Sequence, residues 1–395
     1  MQHDHHQQRQ HDAQKPQRRP GEELQRPAQI VALASNQVAA LTNSQVQALS
    51  TAQIRALETV DLAALTTSQV QALTTAQVVA LGSAQVAALE LADVAALTTA
   101  QIRVLETVDL IALSAEQVGA LTTAQVAALT TDQLGKLTVA QVASLETADV
   151  AALGTAQIAA LTSAQLQALS VAQVVALTTS QLRAIETDDI GALTAEQIDA
   201  LTTAQVAALT TAQITTLSVE QVGAMTSTQV KAMGTAQLNA MNADQVAALG
   251  TEDVAAISAS NLSALSTAVI QALTSSQVVN LTNTQLKALS ADQLTALDVG
   301  DVEGLSTAQI NQLSVTQIST LSTAFLDALT TDQFGALTAT QFTALGSAQV
   351  SSLTDTKVAA MTSSQLRVLA TDELNAMSSI QIAAIETADL AGLSG

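Results

Sequence analysis

An eight-residue phrase runs from residue 33 to residue 392 without insertion or deletion, which makes 45 consecutive octads. With its leading Leu counted as position 1, residues 193–224 read LTAEQIDA LTTAQVAA LTTAQITT LSVEQVGA. A register kept over that distance is the mark of a solenoid, because each unit buries its apolar face only against its neighbours. A slip of one residue would misplace every later contact. Position 1 is Leu, Ile or Met throughout, and position 6 is Val, Ile or Leu with few exceptions, among them Phe334 and Phe342. These two positions are expected to be buried. Position 2 is mostly Thr or Ser, position 5 mostly Gln and position 8 mostly Ala, while positions 3, 4 and 7 vary and are expected to face solvent.

The placement of charge decides between helix and strand. Of 30 acidic residues in the array, 27 lie at positions 2–5, and of eight basic residues seven lie at position 7 or 8. Acid early and base late is the arrangement a helix macrodipole favours, restarted in every octad. The T-x-x-Q of positions 2–5 is a capping box, with Thr as N-cap and Gln reaching back from N3. Gly at position 2, as at Gly82, Gly154, Gly234, Gly250 and Gly346, is also tolerated at an N-cap. One continuous helix is excluded: eight residues overshoot two turns by about 80°, so the apolar stripe could not hold one face. The sequence therefore predicts an all-α solenoid of 45 short capped helices, each of about five to seven residues. With two helices to a layer at ~9 Å spacing the rod would be on the order of 200 Å long. A β-solenoid with Gln and Thr ladders is the alternative, opposed by the scarcity of Gly, Asn and Asp turn residues.

Aromatic residues are 1% of the chain, with no Trp or Tyr, so the core must gain its area by repetition of Leu, Val, Ile and Ala. The net charge is −21; residues 1–28 hold five basic and four acidic residues, which leaves −22 on the array. Such a surface disfavours phosphate backbones and anionic membranes and favours a partner with a basic surface. Residues 1–27, rich in Gln, His and Arg and holding all three prolines, are expected to be a disordered tail before a solenoid over 28–395. The four histidines, His3, His5, His6 and His11, all lie there; an unstructured cluster lacks the supporting hydrogen bonds that fix metal ligands. There is no cysteine, no Sec-type signal peptide and no transmembrane run, so the chain is expected to be cytoplasmic or exported by a non-Sec route.

In six octads Glu and Asp stand in place of Thr and Gln: Glu58/Asp61, Glu90/Asp93, Glu106/Asp109, Glu146/Asp149, Glu186/Asp189 and Glu386/Asp389. As a row of carboxylates these are candidate calcium ligands; as solvated acids at helix N-termini they need no ligand. Arg55, Arg103 and Arg183 each precede a Glu by three residues and are candidate contacts or surface ion pairs. Phe325 occupies the Gln slot, an otherwise polar position, and is a candidate exposed contact. Met225, Met233 and Met241, at successive position-1 sites, are expected core filler. No phosphate loop, zinc-protease motif or Cys/His metal spacing occurs, and the array has no His to act as a base, so an enzyme is not expected and no cofactor is implied.

Two resemblances add to this. PAQIVALASN at residues 27–36 resembles the opening helix of a TAL-effector repeat, and ALETV at residues 56–60 resembles part of that repeat's second helix. The eight-residue period is far shorter than that family's, and Gln37 follows Asn36 where the family carries its base-reading loop. The whole array is similar to TAQVAAL-type octad tracts of long bacterial repeat proteins, some secreted or surface-associated. That similarity implies a bacterial repeat scaffold for protein–protein interaction or spacing, non-enzymatic. TAL-like nucleic-acid binding is the second reading, and calcium or ice-surface binding by repeated carboxylates or hydroxyls the third.

Overall fold

The structure is a computed structural model that describes residues 30–391, so the tail expected over 1–27 and its histidines lie outside the described residues. From Ser35 to Ala391 the described residues form 45 α-helices and no strand. The helices run to four to six residues, slightly shorter than the sequence predicts. Most start as the capping box requires. In the helix Thr99–Val104, the Gln101 N–H donates to the Thr98 hydroxyl at 3.2 Å and the Thr98 N–H donates to Gln101 Oε1 at 2.6 Å. Two of the four unpaired N–H groups of the first turn are satisfied in this way. The helix ends when Leu105 turns extended, at φ −58° and ψ 131°, with its N–H still donating to the Ile102 carbonyl. The corner is thus made by two extended residues, positions 1 and 2. It needs no left-handed backbone, which is why Gly, Asn and Asp are rare there.

Two extended residues bend the chain but do not reverse it, and the path closes in three sides. Within each unit a helix packs on the one three places along the chain, as Thr123–Ala128 does on Thr147–Ala152 and Ser227–Ala232 on Thr251–Ala256. A coil is therefore three octads, 24 residues. The described residues divide into two compact units, one up to Ala176 and one from Leu177. Counted from Leu33, the first unit holds six coils and the second nine. Within each, position 6 points to the axis, as Val70 and Val230 do at 0% exposure, and position 1 seals the corners. Met225, Met233 and Met241 are buried core residues as expected.

A third position is buried as well, and the sequence reading had left it out. Gln101 is only 2% exposed. Its Nε2 donates to the carbonyls of Val70 at 2.9 Å and Leu73 at 2.8 Å, at the end of Thr67–Ala72, the helix four places earlier. In the second unit Gln245 accepts from the Asn242 N–H and donates to the carbonyls of Ile214 and Leu217 at 2.9 and 2.7 Å. One amide closes the start of its own helix and the end of another. No buried side-chain nitrogen or oxygen among the described residues lacks a partner.

Helices this short do not persist alone, so the fold depends on these repeated ties and on the packed axis. Gln101→Ala should lower the unfolding free energy by about 1–3 kcal/mol, because it leaves buried carbonyls unpaired. The same change at Gln45, which is exposed and whose Nε2 has no partner among the described residues, should lower it by less than about 0.5 kcal/mol. Urea denaturation of both variants checks the contrast.

Candidate functional site

The acidic octads show what happens when the amide is exchanged. Glu58, Glu106, Glu146 and Glu186 are exposed N-cap residues whose side chains make no cap hydrogen bond. Their partners point inward: Asp61, Asp109 and Asp149 are buried and Asp189 half-buried. Asp61 accepts from the Ser35 hydroxyl at 2.8 Å and Asp109 from the Ser83 hydroxyl at 2.7 Å, each across one coil. Asp149 accepts from the Glu146 N–H. An Asp in this slot keeps an acceptor but has no N–H to offer the carbonyls below it.

The carboxylates do not form the row that calcium binding would use. Stacked neighbours stand 24 residues apart, and no two acidic pairs have that spacing; Glu58/Asp61 and Glu106/Asp109 share an edge two coils apart. Among the described residues no three His, Asp or Glu side chains converge on a metal-sized space. The hydroxyls of position 2 are likewise committed, since Thr and Ser accept N–H groups as caps.

Arg55, Arg103 and Arg183 are exposed at the last turns of their helices, and among the described residues none is ion-paired to the Glu three residues on. Arg103 and Glu106 do flank one shallow surface depression with Thr130 and Asp132. Phe325 corrects the expectation of an exposed contact: it is 4% exposed, because position 5 faces the interior whatever residue stands there. It lines a small cavity together with Leu297, Val302 and Ala328, and it has no amide to tie that corner. Phe334 and Phe342 are core residues in edge-to-face contact at 5.6 Å. Sequence reasoning missed Lys357, which fills the glutamine slot at 5% exposure. Its ammonium donates to the Asp327 carbonyl at 2.6 Å and lies 3.7 Å from the Asp327 carboxylate. The signal was a cation at position 5 with an acid 30 residues earlier.

The outward surface is otherwise a set of variable side chains without a cleft. Exposed apolar residues, such as Val60, Leu91, Val108, Val139 and Val219, sit singly at positions 3 and 4. No described helix is long and apolar enough to cross a membrane. Asn36 lies inside the helix Ser35–Ala39, and residues 56–60 cross the corner between Thr51–Ala56 and Thr59–Leu62. The single-helix placement of residues 56–60 is thereby corrected, because Leu57 and Glu58 are the extended corner.

Capped helices, three to a coil, with one buried polar tie per octad, define a tandem-repeat α-solenoid. The ALTTAQ repeat matches residues 54–91, 86–122, 102–139, 142–179, 182–219, 219–251 and 246–283, more than half of the chain. The chain belongs to the ALTTAQ repeat family. No curated protein matches it.

Among the Asp exchanges, burial pushes the Asp93 carboxyl above the ordinary carboxylate range; the Glu90 charge adds to the rise and the Glu90 N–H opposes it. Asp253 is raised by burial too, against the Gly250 N–H, with a smaller push from Glu252. A raised folded pKa means that stability is fully present below the unfolded value, about 3.9, and is lost as pH rises through the folded one. Asp93→Gln, which restores a donor facing the Leu65 carbonyl, should therefore stabilise the chain by about 1 kcal/mol at neutral pH. The gain should shrink as pH falls toward 4, which denaturant midpoints of both proteins across pH would measure.

Proposed function

We propose that the chain is a non-enzymatic repeat scaffold, acting as a spacer and as an extended surface for protein partners, with basic partner surfaces favoured. The observation that carries this is the division of labour within the octad. Positions 1, 5 and 6 are nearly constant and buried, whereas positions 3, 4 and 7 are variable and exposed. Conservation of the inward set maintains the stack, and variation of the outward set tunes contacts without disturbing it. The exposed acids are spread over the edges, which suits a general attraction for cations. A charge of −22 on the array opposes duplex binding, and no resident cofactor is invoked.

If extent is the function, whole coils should be dispensable. Removal of residues 201–224, one coil, should leave helical signal per residue and cooperative unfolding intact, whereas removal of residues 201–204 should abolish the cooperative transition. Circular dichroism during urea titration distinguishes them. The full chain should also give no gel shift with duplex DNA at low ionic strength, and no calcium-dependent change in melting temperature. A salt-sensitive shift would replace the proposal with nucleic-acid binding, and a calcium-induced rise in Tm would make the carboxylates a binding system.

A further inference from the structure

Position 5 is exchanged singly almost everywhere: outside one stretch, no two consecutive octads lack its glutamine. Residues 249–272 lack it three times running, at Asp253, Asn261 and Val269. Three octads are one coil, so in the second unit a whole coil lies on the coil before it without a glutamine tie. The interfaces on either side are fully tied. Gln229, Gln237 and Gln245 donate to the carbonyls of Leu201, Leu209 and Leu217, and Gln277, Gln285 and Gln293 to those of Leu249, Ile257 and Leu265. Between residues 225–248 and 249–272, Asn261 alone donates from position 5, to the Met233 carbonyl at 3.2 Å. The carbonyls of Met225 and Met241, which a glutamine would meet, have no partner among the described residues.

The polar bonds that remain across this interface lie at its rim. The Thr235 hydroxyl donates to Asn261 Oδ1 at 3.3 Å, and Asn239 donates to the Ala264 carbonyl at 3.2 Å while accepting the Ser266 N–H at 2.8 Å. Asn239, Ala264 and Ser266 are exposed. Water can take over such bonds when the faces part, whereas a broken buried tie strands its carbonyl. The corners on one face are Met225, Met233 and Met241, the one place where three consecutive octads carry the adaptable Met at position 1. The chain itself crosses once, through Leu249 and Gly250, and glycine absorbs a change of direction at least cost. We infer that the second unit parts at this interface, residues 177–248 and 249–391 moving as two blocks about the Leu249–Gly250 corner while each keeps its own ties. The stack then yields at one place and the edges on either side keep their shape. This joint is internal to the stack and stands whatever the edges bind.

The chain has no cysteine, so one introduced thiol reports on opening. Val246→Cys puts it on the axis at the joint, and Val222→Cys puts it one coil earlier on the same edge; the two valines are 2% and 0% exposed. In the full chain under native conditions, alkylation by iodoacetamide, followed by mass spectrometry, should be about tenfold or more faster at 246 than at 222. Adding Asp253→Gln, Asn261→Gln and Val269→Gln should bring the rate at 246 down to that at 222 with circular dichroism unchanged. If the triple variant loses its helical signal, Asp253→Gln alone decides, on the Gly–Gln cap already used by Gly82 and Gln85: slower alkylation at 246 supports the joint, and an unchanged rate overturns it. Equal rates at 246 and 222 without the added glutamines overturn the inference, as does a fast rate at 246 that three glutamines in a folded chain do not slow.

Discussion

The amide of the position-5 glutamine is the contact on which the rest of the structure depends. Its oxygen accepts the N-cap N–H of its own helix, and its nitrogen donates to carbonyls 28 and 31 residues earlier. Helices of one turn leave most of their backbone groups unpaired at one end or the other. In a chain made only of such helices those groups form a large desolvation burden, and one buried side chain per octad answers both ends. The exchanges at this position follow from the same chemistry. Asp keeps the acceptor and turns to a hydroxyl, and Lys357 keeps a donor and loses the acceptor. Phe325 abandons both and fills space.

Closure in three sides governs the outer surface. Only octads separated by whole multiples of 24 residues share an edge, so groups that look clustered along the chain are dispersed around it. The carboxylate pairs are an instance: their spacings never equal one coil, and the acids present separate charges where a linear reading suggests a row. Arg55 and Arg103, 48 residues apart, do share an edge, and so do Val60 and Val108.

Much of the octad was legible because its determinants lie within eight residues. Capping box, charge polarity and the i, i+3 pairing of positions 6 and 1 are local, and local energetics suffice to read them. The burial of position 5 was not read, although a clue was present. A capping box accepts Glu as readily as Gln, yet Glu stands at position 5 only at Glu373. A cap needs only the carbonyl end of the side chain, so the preference for the amide signals a donor at work on something else. What it works on lies about one coil away. Phe325 was misplaced for that reason, since a polar consensus was taken for an exposed one.

The sequence alone determined that the chain is helical, repeated in perfect register, capped at most octads and apolar along two positions, because each of these is set by neighbours within a turn or two. The tertiary structure decided the number of helices to a coil, the second partner of each glutamine, the burial of Lys357 and Phe325, and the edge on which each charge falls. Those depend on how far an extended two-residue corner bends the path. That angle sets which residues, 24 to 31 positions apart, come into contact.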